Sequence, residues 1–70
     1  MKVYLLQSNL GYDGMYVISV HASERSAEEA AVDFMRENPD RNYALSSTAG
    51  CFAEGDHDMS LEIDEFELRY

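Results

Sequence analysis

Seventy residues make one domain near the lower size limit for a self-sufficient core, and 46% hydrophobic content makes it too apolar for a disordered acidic tail. Fourteen acids against five bases give a net charge of −9, which repels nucleic acid and anionic membrane and favours basic partners. Cys51 stands alone, so an internal disulfide is excluded and a reducing compartment is expected. The opening residues alternate rather than forming the apolar run of a signal peptide, and no stretch approaches the ~20 residues of a bilayer span. A cytoplasmic location follows as an expectation.

Met1–Ser8 (MKVYLLQS) reads as a first strand, with Val3 and Leu5 on one face and Tyr4 and Leu6 on the other. Apolar residues on both faces predict a central strand. Asn9–Gly14 (NLGYDG) has the glycines, Asn and Asp of a hairpin loop, with Tyr12 exposed at its tip. Met15–His21 (MYVISVH) is the second strand, paired antiparallel with the first; Tyr16, Ile18 and Val20 are expected to share a face.

Ala22–Asn38 predicts the one helix. Ser23 is the expected N-cap, with Ser26 and Glu29 as a fallback capping box. Ala27, Ala30, Ala31, Phe34 and Met35 fall on one stripe at helical spacing, so a helix of mostly small residues can lie close on a sheet. Asn38-Pro39 ends it, with Asn38 suited to a left-handed cap. Tyr43–Thr48 (YALSST) reads as a weak edge strand, and Ala49–Asp58 (AGCFAEGDHD) as a loop pinned by Cys51 and Phe52.

The last segment, Met59–Tyr70, is a strand whose alternation slips. Leu61 and Ile63 share one phase; Phe66, Leu68 and Tyr70 share the other. A bulge near Asp64-Glu65 would restore a single apolar face, and two short strands with a bend are the alternative. The element order ββαββ predicts an α+β fold: a four-stranded, mostly antiparallel sheet with the helix packed on one face.

Half of the acids fall in the last seventeen residues: Glu54, Asp56, Asp58, Glu62, Asp64, Glu65 and Glu67. Glu62 and Asp64, alternating with Leu61 and Ile63, would give carboxylates at ~7 Å steps along a strand. That step is close to the spacing of neighbouring phosphates, so such a rail can imitate a nucleic-acid backbone toward a basic groove. A solvated outer sheet face is the plainer explanation. Asp56-His57-Asp58 with Glu54 lacks the spacing of a calcium loop, and zinc would need more His or Cys, so no metal and no cofactor are assigned. Cys51 lacks the positive surroundings of a reactive thiol, Gly11-Tyr12-Asp13-Gly14 lacks phosphate-loop spacing, and the five basic residues are scattered. No acid, base and nucleophile set converges, so no catalytic residue is named. Five tyrosines exceed what a small core hides; they suit an interface or amphipathic cover on an open sheet face.

The opening MKVYLL, the VISVHASERSAEEAA junction and the closing SLEIDEFELRY resemble small bacterial and phage proteins of no assigned activity. Those proteins begin with a MKVYLL-type strand, carry an SxEEA-type helix and close on an acidic strand. The resemblance touches about half the chain and implies a compact α+β fold, with no functional residues to carry over. In size and charge the chain is also similar to phage-encoded inhibitors of host defence, including anti-CRISPR proteins and DNA mimics.

The expectation is a non-enzymatic binding module that docks on a basic protein surface, in its sharp form a nucleic-acid-binding groove. Glu54, Asp56, Asp58, Glu62, Asp64, Glu65 and Glu67 would supply charge, with Tyr12, Phe52 and Tyr70 as anchors. The alternative is a small homo-oligomer, a homodimer or an accessory subunit, joined through its outer tyrosines.

Overall fold

The computed structural model describes residues 1–11, 14–47 and 51–68. Five strands, β1 (Lys2–Asn9), β2 (Met15–His21), β3 (Ala44–Leu45), β4 (Cys51–Glu54) and β5 (Ser60–Glu67), form one sheet in the order β2-β1-β5-β4-β3. Every pairing is antiparallel. A single helix, α1 (Glu24–Glu37), connects the β2 edge to the β3 edge and packs on one face. The fold is therefore α+β, with a fifth strand added to the predicted four. Cys51–Glu54 is that strand: its pairing with β5 turns the expected loop into sheet.

α1 begins as its sequence dictates. The Ser23 hydroxyl accepts from the Ser26 amide at 3.2 Å, satisfying one of the amides that a first turn leaves without partners. Ala27 and Ala31 are fully buried, and Ala30, Phe34 and Met35 pack beside them. The helix ends at Asn38, whose side-chain amide donates to the Phe34 carbonyl at 2.9 Å. Asn38 itself is not left-handed; that conformation falls on Asn42, φ 55°, after the short 3-10 turn Pro39–Arg41.

The core is the layer between helix and sheet. Leu6 from β1, Ala53 from β4, Leu61 from β5 and Ala31 from α1 form its buried centre, with Ile18, Phe52 and Ile63 packed against it. Ser8 is also fully buried, and its hydroxyl finds no hydrogen-bond partner among the described residues. A buried donor without a partner loses its water hydrogen bonds for nothing. Ser8→Ala should therefore stabilise the fold by about 0.5–1 kcal/mol, read as a raised urea midpoint at unchanged slope.

The register corrects the expected position of the bulge. β5 pairs with β1 without interruption from Ser60 to Glu67, so Asp64-Glu65 is regular strand. The irregularity lies in β2: Leu6 stands opposite Ser19 while Gln7 stands opposite Val17, leaving Ile18 as the extra residue. Ile18 packs on the core, whereas Val17 and Val20 pair with Gln7 and Leu5, on the face away from the helix. Tyr16, Ile18 and Val20 thus do not share one face. A second shift, between Cys51 and Ala53, lets Phe52 reach the core beside Ala53.

Gly55 joins β4 to the turn before β5 at a place with no room for a side chain. A Cβ there would meet the Arg41 carbonyl oxygen at 2.8 Å and the Tyr43 ring at 2.9 Å. Gly55→Ala should cost about 1–3 kcal/mol, because one obstacle is backbone that cannot turn aside. A fall in thermal midpoint of several degrees checks it. Among the described residues, no helix is long and apolar enough to cross a membrane.

Candidate interaction surface

The sheet has two faces and α1 covers one. Alternation along β1 and β5 assigns Tyr4, Leu6 and Ser8 with Leu61, Ile63, Glu65 and Glu67 to the helix side. The opposite face carries Val3, Leu5 and Gln7 from β1, Glu62, Asp64 and Phe66 from β5, and Val17 and Val20 from β2. The described residues place no second layer over it. Two-sided apolar strands without a second covering layer leave apolar surface in water: Val20 is 59% exposed and Phe66 48%, while Val3, opposite Phe66, is 7% exposed.

Carboxylates border that apolar stripe. Glu62 and Asp64 are two residues apart on the same side of β5, about 7 Å along the strand. The Gln7 side-chain amide donates to the Asp64 carboxylate, fixing its position on the face. Glu62 has no ion-pair partner among the described residues. No lysine or arginine side chain there lies on this face: Lys2 is on the helix side, Arg25 and Arg36 are on the helix, and Arg41 lies in the 3-10 turn that follows it.

The remaining acids of the C-terminal tract are distributed elsewhere, because β5 is straight. Glu65 pairs with Lys2 at 3.0 Å, and Glu67 with the N-terminal amine at 3.1 Å. The hydrogen bond and the charge of Glu65 together hold the Lys2 amine above its ordinary range. Glu54, Asp56 and Asp58 gather at the β4–β5 connection, all exposed. There Asn42 donates to Asp56 at 2.6 Å, and His57 and Asp58 both adopt positive φ, 58° and 62°. The seven acids thus form a pair on the open face, a pair on the helix side and a group of three at one turn.

Phe52 lies on the helix side, half-buried, lining a groove of about 170 Å³ with Glu24, Glu28, Cys51 and Ile63. It is not on the face that carries Glu62 and Asp64. Tyr12 and Tyr70 lie outside the described residues. Phe66, opposite Val3, takes the place on this face that Tyr12, Phe52 and Tyr70 were expected to fill; its phase, opposite to that of Leu61, is the signal for it in the sequence.

His21, Cys51 and Arg41 have structural partners. The two ring nitrogens of His21 sit 2.6 Å from the Ser19 hydroxyl and 2.8 Å from the Ser26 hydroxyl, so the imidazole ties the end of β2 to the first turn of α1. The Cys51 thiol donates to the Ala53 carbonyl. Arg41 lies 5.6 Å over the Phe34 ring, and its hydrogen bond to the Tyr43 hydroxyl keeps the guanidinium above its ordinary range. No group of three or more His, Cys, Asp or Glu gathers as a metal site among the described residues.

No curated protein matches the chain, and no solved structure does. The sequence model of a domain family of unknown function matches residues 1–70, and the chain belongs to that family, DUF7336.

Proposed function

We propose that this protein is a non-enzymatic binding module that docks a basic protein surface against its uncovered sheet face. The observation that carries the reading is the pairing of an exposed apolar stripe, Val17, Val20 and Phe66, with the Glu62 and Asp64 carboxylates on a face without lysine or arginine side chains among the described residues. Burial of Phe66 and the valines would hold the complex, and a net charge of −9 would speed encounter with a cationic partner. The sharp form is an inhibitor that occupies a nucleic-acid-binding groove, the role of the phage inhibitors that the chain resembles in size and charge. In that form Glu54, Asp56 and Asp58 would extend the negative surface beyond the two carboxylates of the face.

The experiment compares proteins retained from the native source's cell extract by immobilised wild type, Phe66→Lys, Glu62→Lys/Asp64→Lys and Glu28→Lys. Basic proteins should be retained by the wild type and by Glu28→Lys, a helix-side control, and lost from the two face variants. Retention that ignores the face variants would overturn the reading.

A further inference from the structure

The open face differs from one side to the other. β1 runs down its middle, with β2 on one side and β5 on the other. On the β2 side stand Met15, opposite Asn9, then Val17 and Val20, from 47% to 59% exposed. On the β5 side stand Glu62 and Asp64, with Phe66 beyond them. Glu54, which ends β4 opposite Ser60, continues the acidic side by one strand. The face is thus a trough, apolar along one flank and acidic along the other.

We infer that the occupant of this face is an amphipathic helix of the basic partner, apolar on one flank and lined with lysine or arginine on the other; this rests on the docking reading above. Backbone chemistry selects a helix. β1 and β5 are each paired on both sides, so their amides and carbonyls are committed in the plane of the sheet. An extended segment laid on the face would bury its own amides and carbonyls without partners, whereas a helix satisfies them internally. The dimensions agree. β2 and β5 are two strand spacings apart, about 10 Å, and a helix with its side chains is about 10–12 Å wide. Ser60 to Phe66 covers about 20 Å, the length of a helix of about fourteen residues. α1, itself 14 residues long, packs against the same three strands from the other side.

Charge sets the rotation of that helix about its own axis. Basic residues four apart on a helix are separated by about 6 Å along it, close to the ~7 Å between Glu62 and Asp64. Such a pair meets both carboxylates at once, while the apolar flank lies over Val17, Val20 and Leu5, with Phe66 at one end. The reverse rotation would press the cations against the valines and leave both carboxylates facing apolar side chains.

Two acetylated and amidated peptides of about fourteen residues test this by amide chemical-shift titration of the intact chain. The first carries leucines at helical spacing with lysines along one flank; the second is identical except for prolines at two positions on its outward side. The first should bind with a Kd below about 1 mM, gain helical circular dichroism and shift the amides of Val17, Val20 and Phe66. The second should bind at least about tenfold more weakly, because proline breaks the helix and leaves the contact residues in place. Phe66→Lys and Glu62→Lys/Asp64→Lys should each weaken the first peptide at least about tenfold, and Glu28→Lys should not. Equal affinity for the two peptides, binding that ignores the face variants, or no binding up to about 1 mM would each overturn the inference. The capture experiment separates this from the docking reading: if the face variants lose the basic proteins while the helical peptide fails to bind, docking stands and only the helix is overturned.

Discussion

Leu61→Ala should leave most of the protein unfolded at room temperature. Leu61 is fully exclusive of solvent in the buried centre, against Leu6, Ala31 and Ala53. Truncating such a leucine costs about 3–5 kcal/mol through lost burial and the cavity left behind. A domain of seventy residues without a disulfide has about 3–5 kcal/mol in total, so the loss equals the whole margin. Phe66→Ala, five positions along the same strand, should cost only about 1–1.5 kcal/mol, because the ring is 48% exposed on the uncovered face. Urea unfolding of the two variants, compared at equal slope, checks the contrast. Were Phe66→Ala the more damaging, β5 would have to present its other side to the helix.

The second large effect concerns binding. Replacing Glu62 and Asp64 together with lysine should weaken a basic partner at least about a hundredfold, since each reversal removes an attraction and adds a repulsion at a desolvated contact. The double variant should fold normally, because neither side chain belongs to the core and Asp64 gives up only its hydrogen bond from Gln7. Reversal of Glu65 or Glu67 should weaken binding far less. Their carboxylates are on the helix side, engaged with Lys2 and the N-terminal amine. Isothermal titration at two salt concentrations separates the cases: wild-type affinity falls steeply with salt, and that of the double variant does not.

These two predictions depend on the register of β5, the feature least accessible from the sequence. The helix could be read because its information is local: Ser23 caps it, Ala27 and Ala31 supply the buried stripe, and Asn38-Pro39 stops it. The central position of β1 was legible for a similar reason, since Val3, Leu5 and Leu6 make both of its faces apolar. The order β2-β1-β5-β4-β3 depends instead on pairings between residues about sixty positions apart, such as Val3 with Phe66. Cys51–Glu54 was missed because four residues show too little alternation, and a bulge disturbs what alternation there is.

The slip of phase between Ile63 and Phe66 was visible, and its cause was not. A single apolar face demands a bulge there; a strand apolar on both sides does not, and that is the arrangement found. The consequence reaches the candidate surface. Acidic composition marked the C-terminal tract, but only the straight course of β5 divides Glu62 and Asp64 from Glu65 and Glu67. The same geometry brings Phe66 to the face with Glu62 and Asp64 and leaves Phe52 on the other side.

Site-specific photo-crosslinking in the native cell tests the central claim most directly. A benzophenone side chain replacing Phe66 on the open face should yield a covalent adduct with a basic protein, whereas the same group replacing Arg36 on the outer side of α1 should not. Adducts from position 36 and none from position 66 would contradict the account.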